Sequence, residues 1–160
     1  MTTPRPSQSA AVIPLAEVLQ ELDRRWNEHP GIRRMGVKLD LTSVPGQVRA
    51  DVEPIEIHHR GGMGTDAVNG PTIAAVFDLI TGLTGYLQAI GKKVGVVQLS
   101  IQFLRPVTGT RFHAVARPTR AGRSLVFVAA ELFDETGVPC AGSTGIVAIT
   151  AADSTGEMAL

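Results

Sequence analysis

Apolar residues recur along the chain with two periods, and each period marks an element. Leu15, Val18, Leu19, Leu22 and Trp26 return at helical spacing behind Pro14, which suits a first helical position. Residues 14 to 28 therefore read as an amphipathic helix that ends before Pro30. Val37, Leu39 and Leu41 alternate with Lys38, Asp40 and Thr42, and alternation resumes beyond Pro45-Gly46 through Val48, Ala50 and Val52, which predicts a hairpin. Residues 71 to 90 open with Pro71 and are apolar around almost the whole circumference of a helix, so this helix must be covered on most sides. After Gly91 the pattern predicts four strands, at 95 to 105, 110 to 119, 123 to 134 and 138 to 150, with turn-compatible pairs at Thr108-Gly109, Ala121-Gly122 and Thr136-Gly137. Leu99, Ile101 and Phe103 alternate with Gln98, Ser100 and Gln102, giving the first of these strands one apolar face. A long apolar helix followed by a strand meander most simply means an α+β domain, with an antiparallel sheet of six strands curled around that helix.

One charge interrupts the central helix. Asp78 is the only charged residue between Asp66 and Lys92, and it lies two turns into the least polar helix of the sequence. A carboxylate there is costly unless it is hydrogen-bonded, paired or beside a cavity. Ala74, Ala75, Gly82 and Gly85 lie on or near its side, so a backbone or a ligand can come close. A cap or an arginine partner would explain the charge structurally. A reactive site explains the charge and its small neighbours together. Upstream, residues 58 to 70 read HHRGGMGTDAVNG, a glycine-rich loop that feeds directly into the helix.

Charge and cysteine content narrow the field. With 15 basic and 15 acidic residues in 160, the chain has no net field to draw in nucleic acid or an anionic membrane, so any anion site must be local. Cys140 is the only cysteine, which excludes an internal disulfide, argues against a cysteine-built zinc site and fits a reducing cytoplasm. Neither a metal nor a redox cofactor is implied. The opening MTTPRPSQSA lacks an apolar signal region, and no stretch approaches a membrane span. Residues 1 to 11 and 152 to 160 read as flexible arms around a single domain at 12 to 151.

The stretch Asn69-Gly70-Pro71, with Asp78 nine positions after Asn69, is followed by Arg105-Pro106, Gly109, Arg120-x-Gly122-Arg123 and Asp134-x3-Val138. In order and spacing these residues resemble the hotdog-fold acyl-CoA thioesterases of the phenylacetate-pathway group, over roughly residues 47 to 150. The resemblance implies hydrolysis of an acyl-CoA to acid and CoA, by a homodimer or a tetramer built as a dimer of dimers, with sites at subunit boundaries. It makes the Gly70 backbone N–H the oxyanion donor at a helix N-terminus, where amides lack partners and the macrodipole adds positive charge. Asp78 becomes either a general base on water or the attacking carboxylate. Three positions depart from the family pattern. Asn69 replaces its usual His, Pro71 replaces its second Gly, and Met63 stands where many members carry Asn or Gln, a task that Asp66, Gln98 or Ser100 could take over.

Other features have competing readings. His59 with Asp78 would suit a hotdog dehydratase or hydratase, although adjacent histidines such as His58 and His59 point in different directions. Loss of catalysis with the fold retained would leave an acyl-CoA-binding protein. Arg117, Arg120 and Arg123 cluster around one turn at Gly122 and could hold the CoA phosphates or be solvated strand-end residues. Trp26 reads as core packing and Cys140 as a small buried hydrophobe.

Overall fold

A computed structural model describes residues 11–61 and 64–150. Helix α1 (Ala16–Glu28) is followed at once by a second, five-residue helix α2 (Pro30–Arg34). Pro30 ends the first helix as expected and also opens the next, because its missing N–H and fixed φ suit a first turn. The His29 ring caps that turn by accepting from the Gly31 N–H at 3.1 Å. Strands β1 (Val37–Asp40) and β2 (Val48–Val52) form the expected hairpin, with Val37 opposite Val52. Helix α3 (Gly70–Leu87) carries the chain to β3 (Lys93–Phe103), β4 (Phe112–Ala121), β5 (Leu125–Asp134) and β6 (Pro139–Thr150). The six strands make one antiparallel sheet curled about α3.

The strand order is β1-β2-β4-β5-β6-β3, which corrects one expectation. Only β4, β5 and β6 form a meander; β3 pairs with β6, Lys93 opposite Thr150, and is an edge. The segment joining β3 to β4 is therefore not a hairpin turn. It crosses the end of the sheet and passes the start of α3, where the Val68 N–H donates to the Val107 carbonyl at 2.9 Å.

Helix and sheet meet through residues that leave almost no space. Ile73, Val76, Phe77, Ile80, Leu83 and Leu87 of α3 are buried on the sheet side, against Val126, Val128, Leu132 and Val147 among others. Opposite β6 the contact is closest, because Gly85 sits over Val147 and Gly145 sits under Thr81. A register shift between Val96 and Gln98 in β3 resets the alternation, so Val94, Val96, Leu99 and Ile101 all pack on the core side. Cys140 is buried, as expected, and burial pushes its thiol pKa up. Trp26 is half-buried against the core and meets Tyr86 edge-on with ring centroids 6.4 Å apart. Among the described residues, no helix is long and apolar enough to cross a membrane.

Candidate active site

The start of α3 is built around one side chain. Asn69 caps the helix, its Oδ1 accepting from the Thr72 N–H at 2.8 Å. Its Nδ2 donates to the His58 and Arg60 carbonyls, both at 3.2 Å, which ties the helix start to the preceding loop. The Asn69 carbonyl accepts from the Ile73 N–H at 3.3 Å, and Pro71 has no N–H to offer. Gly70 is left as the one first-turn amide with no partner among the described residues.

That amide borders a cavity of about 300 Å³ lined by Val68, Ile73, Phe103, Leu104, Pro106 and Val107, with Arg105 at its edge. The cavity follows from the topology, since the crossing segment after β3 has to pass the helix mouth to reach β4. Sequence reading missed Phe103, Leu104 and Val107 as site residues. The available signal was the adjacent pair Phe103-Leu104, which breaks strand alternation just before Arg105-Pro106.

Asp78 differs from expectation in its surroundings. The carboxylate is exposed in the single chain, with no hydrogen bond or ion pair among the described residues. It stands on the face of α3 that carries Pro71 and Ala75, turned away from the sheet, because the sheet covers only the opposite side of the helix. A Cβ at Gly82, one turn on, would lie 3.5 Å from Val96 of β3, so the Asp78 face borders the free edge strand.

The remaining predicted residues are dispersed. Asp66 is exposed on the loop before α3, where its carbonyl accepts from Arg60 Nη1 at 2.9 Å. Met63 lies outside the described residues. Gln98 and Ser100 occupy the face of β3 opposite Leu99 and Ile101, away from α3, so one chain does not bring them to the helix mouth. Arg120 and Arg123 flank the β4–β5 turn at Gly122, at the end of the sheet remote from Gly70, and all three residues are exposed. Arg120 lies 5.8 Å from the centre of the Phe127 ring, and Arg117 reaches Gln47 Oε1 at 3.5 Å.

The histidine pair divides as its adjacency suggests. His58 is exposed, 3.3 Å from the Glu56 carboxylate. His59 is 2% exposed, its Nδ1 accepting from the Glu56 N–H at 3.0 Å and its Nε2 meeting the Met35 carbonyl at 2.9 Å. The backbone donor on Nδ1 fixes the proton on Nε2, so neither nitrogen is free for proton transfer. A dehydratase acting through His59 has no support in this geometry.

Comparison with known proteins agrees with the architecture. The model of the thioesterase superfamily matches residues 66–141. A thioesterase from Haemophilus influenzae superposes with a TM-score of 0.74 at 19% identity, covering 87% of this chain and 94% of that one. Zebra fish thioesterase superfamily member 2 gives 0.69 at 19% identity, covering 86% and 99%. A mutant of the phenylacetic acid degradation protein PaaI from Thermus thermophilus gives 0.64 at 21% identity, covering 75% and 98%. At these identities the structures establish the fold alone. No curated protein matches the chain by sequence. The chain is a hotdog-fold protein that matches the thioesterase superfamily over residues 66–141.

Proposed function

We propose that the protein hydrolyses acyl-CoA thioesters, with Gly70 and Asp78 as its reactive groups. The observation that carries this reading is the unpaired Gly70 amide, which opens at a helix N-terminus onto an apolar cavity. A thioester carbonyl oxygen gains negative charge as its carbon is attacked, and a fixed amide aided by the helix dipole stabilises that charge without reorganising. Asp78 supplies the second group, either taking a proton from water or attacking directly. In the net reaction water oxygen bonds to the acyl carbon, the carbon–sulfur bond breaks, and CoA leaves as the thiol.

Within one chain the two groups stand well apart. Gly70 and Asp78 are eight residues apart on one helix, which is about 12 Å of axial rise. Attack requires the reacting atoms within about 3.5 Å of each other. Two copies joined antiparallel along β3 would set Gly70 of one against Asp78 of the other. Support comes from β3 itself, an eleven-residue edge strand with Val97 62% exposed and the Asp78 face of α3 beside it. The same antiparallel pairing would bring Arg120 and Arg123 of one copy to the Gly70 end of the other, where the CoA phosphates could rest. The assembly in this reading is a homodimer or a dimer of two such dimers, and no cofactor takes part.

Free-thiol release from short, long and aryl acyl-CoAs tests the reading directly. Hydrolysis should be measurable in the parent protein and lost in Asp78→Ala with the fold unchanged. Binding of acyl-CoA without thiol release would mark a carrier instead.

A further inference from the structure

Resting on the hydrolase reading above, we infer that His59 is a positioning residue: its buried ring fixes the three carbonyls that hold Asn69, and through Asn69 it aims the Gly70 amide. Asn69 hangs from three consecutive residues. Its backbone N–H donates to the His59 carbonyl at 2.8 Å, and its Nδ2 donates to the His58 and Arg60 carbonyls, both at 3.2 Å. The Gly70 N–H belongs to the peptide plane that begins at the Asn69 carbonyl, so a shift of Asn69 turns the amide with it.

Of the three residues, only His59 is buried. Its ring bridges two segments far apart in the chain. Nδ1 accepts from the Glu56 N–H at 3.0 Å, and Nε2 donates at 2.9 Å to the carbonyl of Met35, the residue that ends α2. The His59 N–H donates to the Glu56 carbonyl at 3.0 Å, which closes the turn around the ring. Gly36, with φ at +67°, passes so near that a Cβ there would lie 2.9 Å from Cε1 of the histidine. An apolar side chain of similar size would fill the space but leave a backbone donor and a backbone carbonyl without partners, which folded proteins avoid. Histidine serves both, because it carries a donor and an acceptor across a rigid ring. Both nitrogens are occupied, so the effect of His59 on the reaction runs through the carbonyls it holds in place.

The test uses the full chain with His59→Leu and His59→Gln, and with Gly85→Ala as a variant destabilised at the other end of α3. Two readouts are taken well below each melting temperature: kcat and KM for the best substrate of the acyl-CoA panel, and one-bond N–H residual dipolar couplings, which give the direction of the Gly70 amide relative to the later turns of α3. His59→Leu should turn the Gly70 N–H and lower kcat about 10- to 100-fold with KM kept within about twofold, since misplacement by about 1 Å costs a reacting geometry about that much. His59→Gln restores a donor within reach of the Met35 carbonyl and should recover part of kcat. Gly85→Ala should lose melting temperature while keeping kcat and the Gly70 direction. A Gly70 direction unchanged in the His59 variants, or a kcat that falls no further than in Gly85→Ala, overturns the inference. If His59→Leu does not fold, His59→Gln decides by the same two readouts. The couplings need no turnover, which separates this result from failure of the hydrolase reading. If the parent releases no thiol, that reading falls, and the Gly70 direction alone decides whether His59 positions the amide.

Discussion

Gly85 of α3 lies so close to Val147 of β6 that a Cβ on the glycine would sit 2.4 Å from the valine Cγ1 and 2.6 Å from its Cβ. Both valine atoms are near the backbone, so a rotamer change cannot clear them. Gly85→Ala should therefore force helix and sheet apart and cost about 1–3 kcal/mol, as overpacked cores do. The paired variant Gly85→Ala/Val147→Ala removes the valine methyls but keeps the Cβ 2.6 Å away and loses buried packing, so it should stay less stable than the parent. Urea denaturation of the three proteins checks both statements.

The proposed division of labour between two copies has a direct complementation test. Gly70→Pro deletes the free N–H and no internal hydrogen bond, and Asp78→Ala deletes an unpartnered carboxylate, so each protein should fold and each should be inactive. Refolding an equal mixture should restore about a quarter of parental thiol release, because half the dimers are mixed and one of their two sites is intact. No recovery in a mixture shown to exchange subunits would place both groups in one chain's site.

Asn69 both accepts and donates, and its replacements separate those roles. Asn69→Ala loses the cap on Thr72 and the bonds to the His58 and Arg60 carbonyls. It should cost about 1 kcal/mol or more from the cap alone. Asn69→Asp keeps the acceptor but turns an anion toward two carbonyl oxygens. Its thermal unfolding temperature should fall between those of the alanine variant and the parent, with the same ordering in thiol-release rate.

Asp40 gives a pH dependence of defined sign. Burial raises its pKa, but hydrogen bonds from Ser43 and Thr42 outweigh that effect and bring it from 3.8 to about 2. Both backbone N–H groups reach Oδ1 at 2.9 Å. A carboxyl with a depressed native pKa contributes stability that is complete above its unfolded value and is lost as pH falls through the native one. The difference in melting temperature between the parent and Asp40→Ala should thus be steady above about pH 4 and narrow between there and about pH 2. Scanning calorimetry across that range checks it, and a gap that widens toward low pH refutes the assignment.

Much of this was legible in the sequence, for reasons that can be named. The central helix and the strands that became β3 to β6 declare themselves because each has one face against a core, and burial imposes its period on the residues. The first helix ended where Pro30 said, but α2 was missed because a proline that stops one helix can also start another. Strand neighbours were partly missed because alternation records which face is buried and says nothing about which strand lies alongside. This is how β3 came to lie beside β6 and not β4. Asp78 was read as interior because an apolar helix shows that both sides need cover without saying whether the same chain provides it. The bare side of α3 is the side that a second copy would have to fill. Gln98 and Ser100 were candidates by chemistry, and their own alternation with Leu99 and Ile101 already placed them on the far face.

The capping of α3 by Asn69 has a consequence for which anions the helix can hold. A helix start that binds phosphate presents a fan of donors to several oxygens at once. Here the side chain of Asn69 has taken one donor, its carbonyl another, and proline a third, so among the described residues a single first-turn donor is left without a partner. A lone donor suits an anion with one charged oxygen, such as a tetrahedral intermediate, and leaves a phosphate's other oxygens without partners. Free phosphate should therefore compete poorly at this position even at concentrations that saturate phosphate-binding helices.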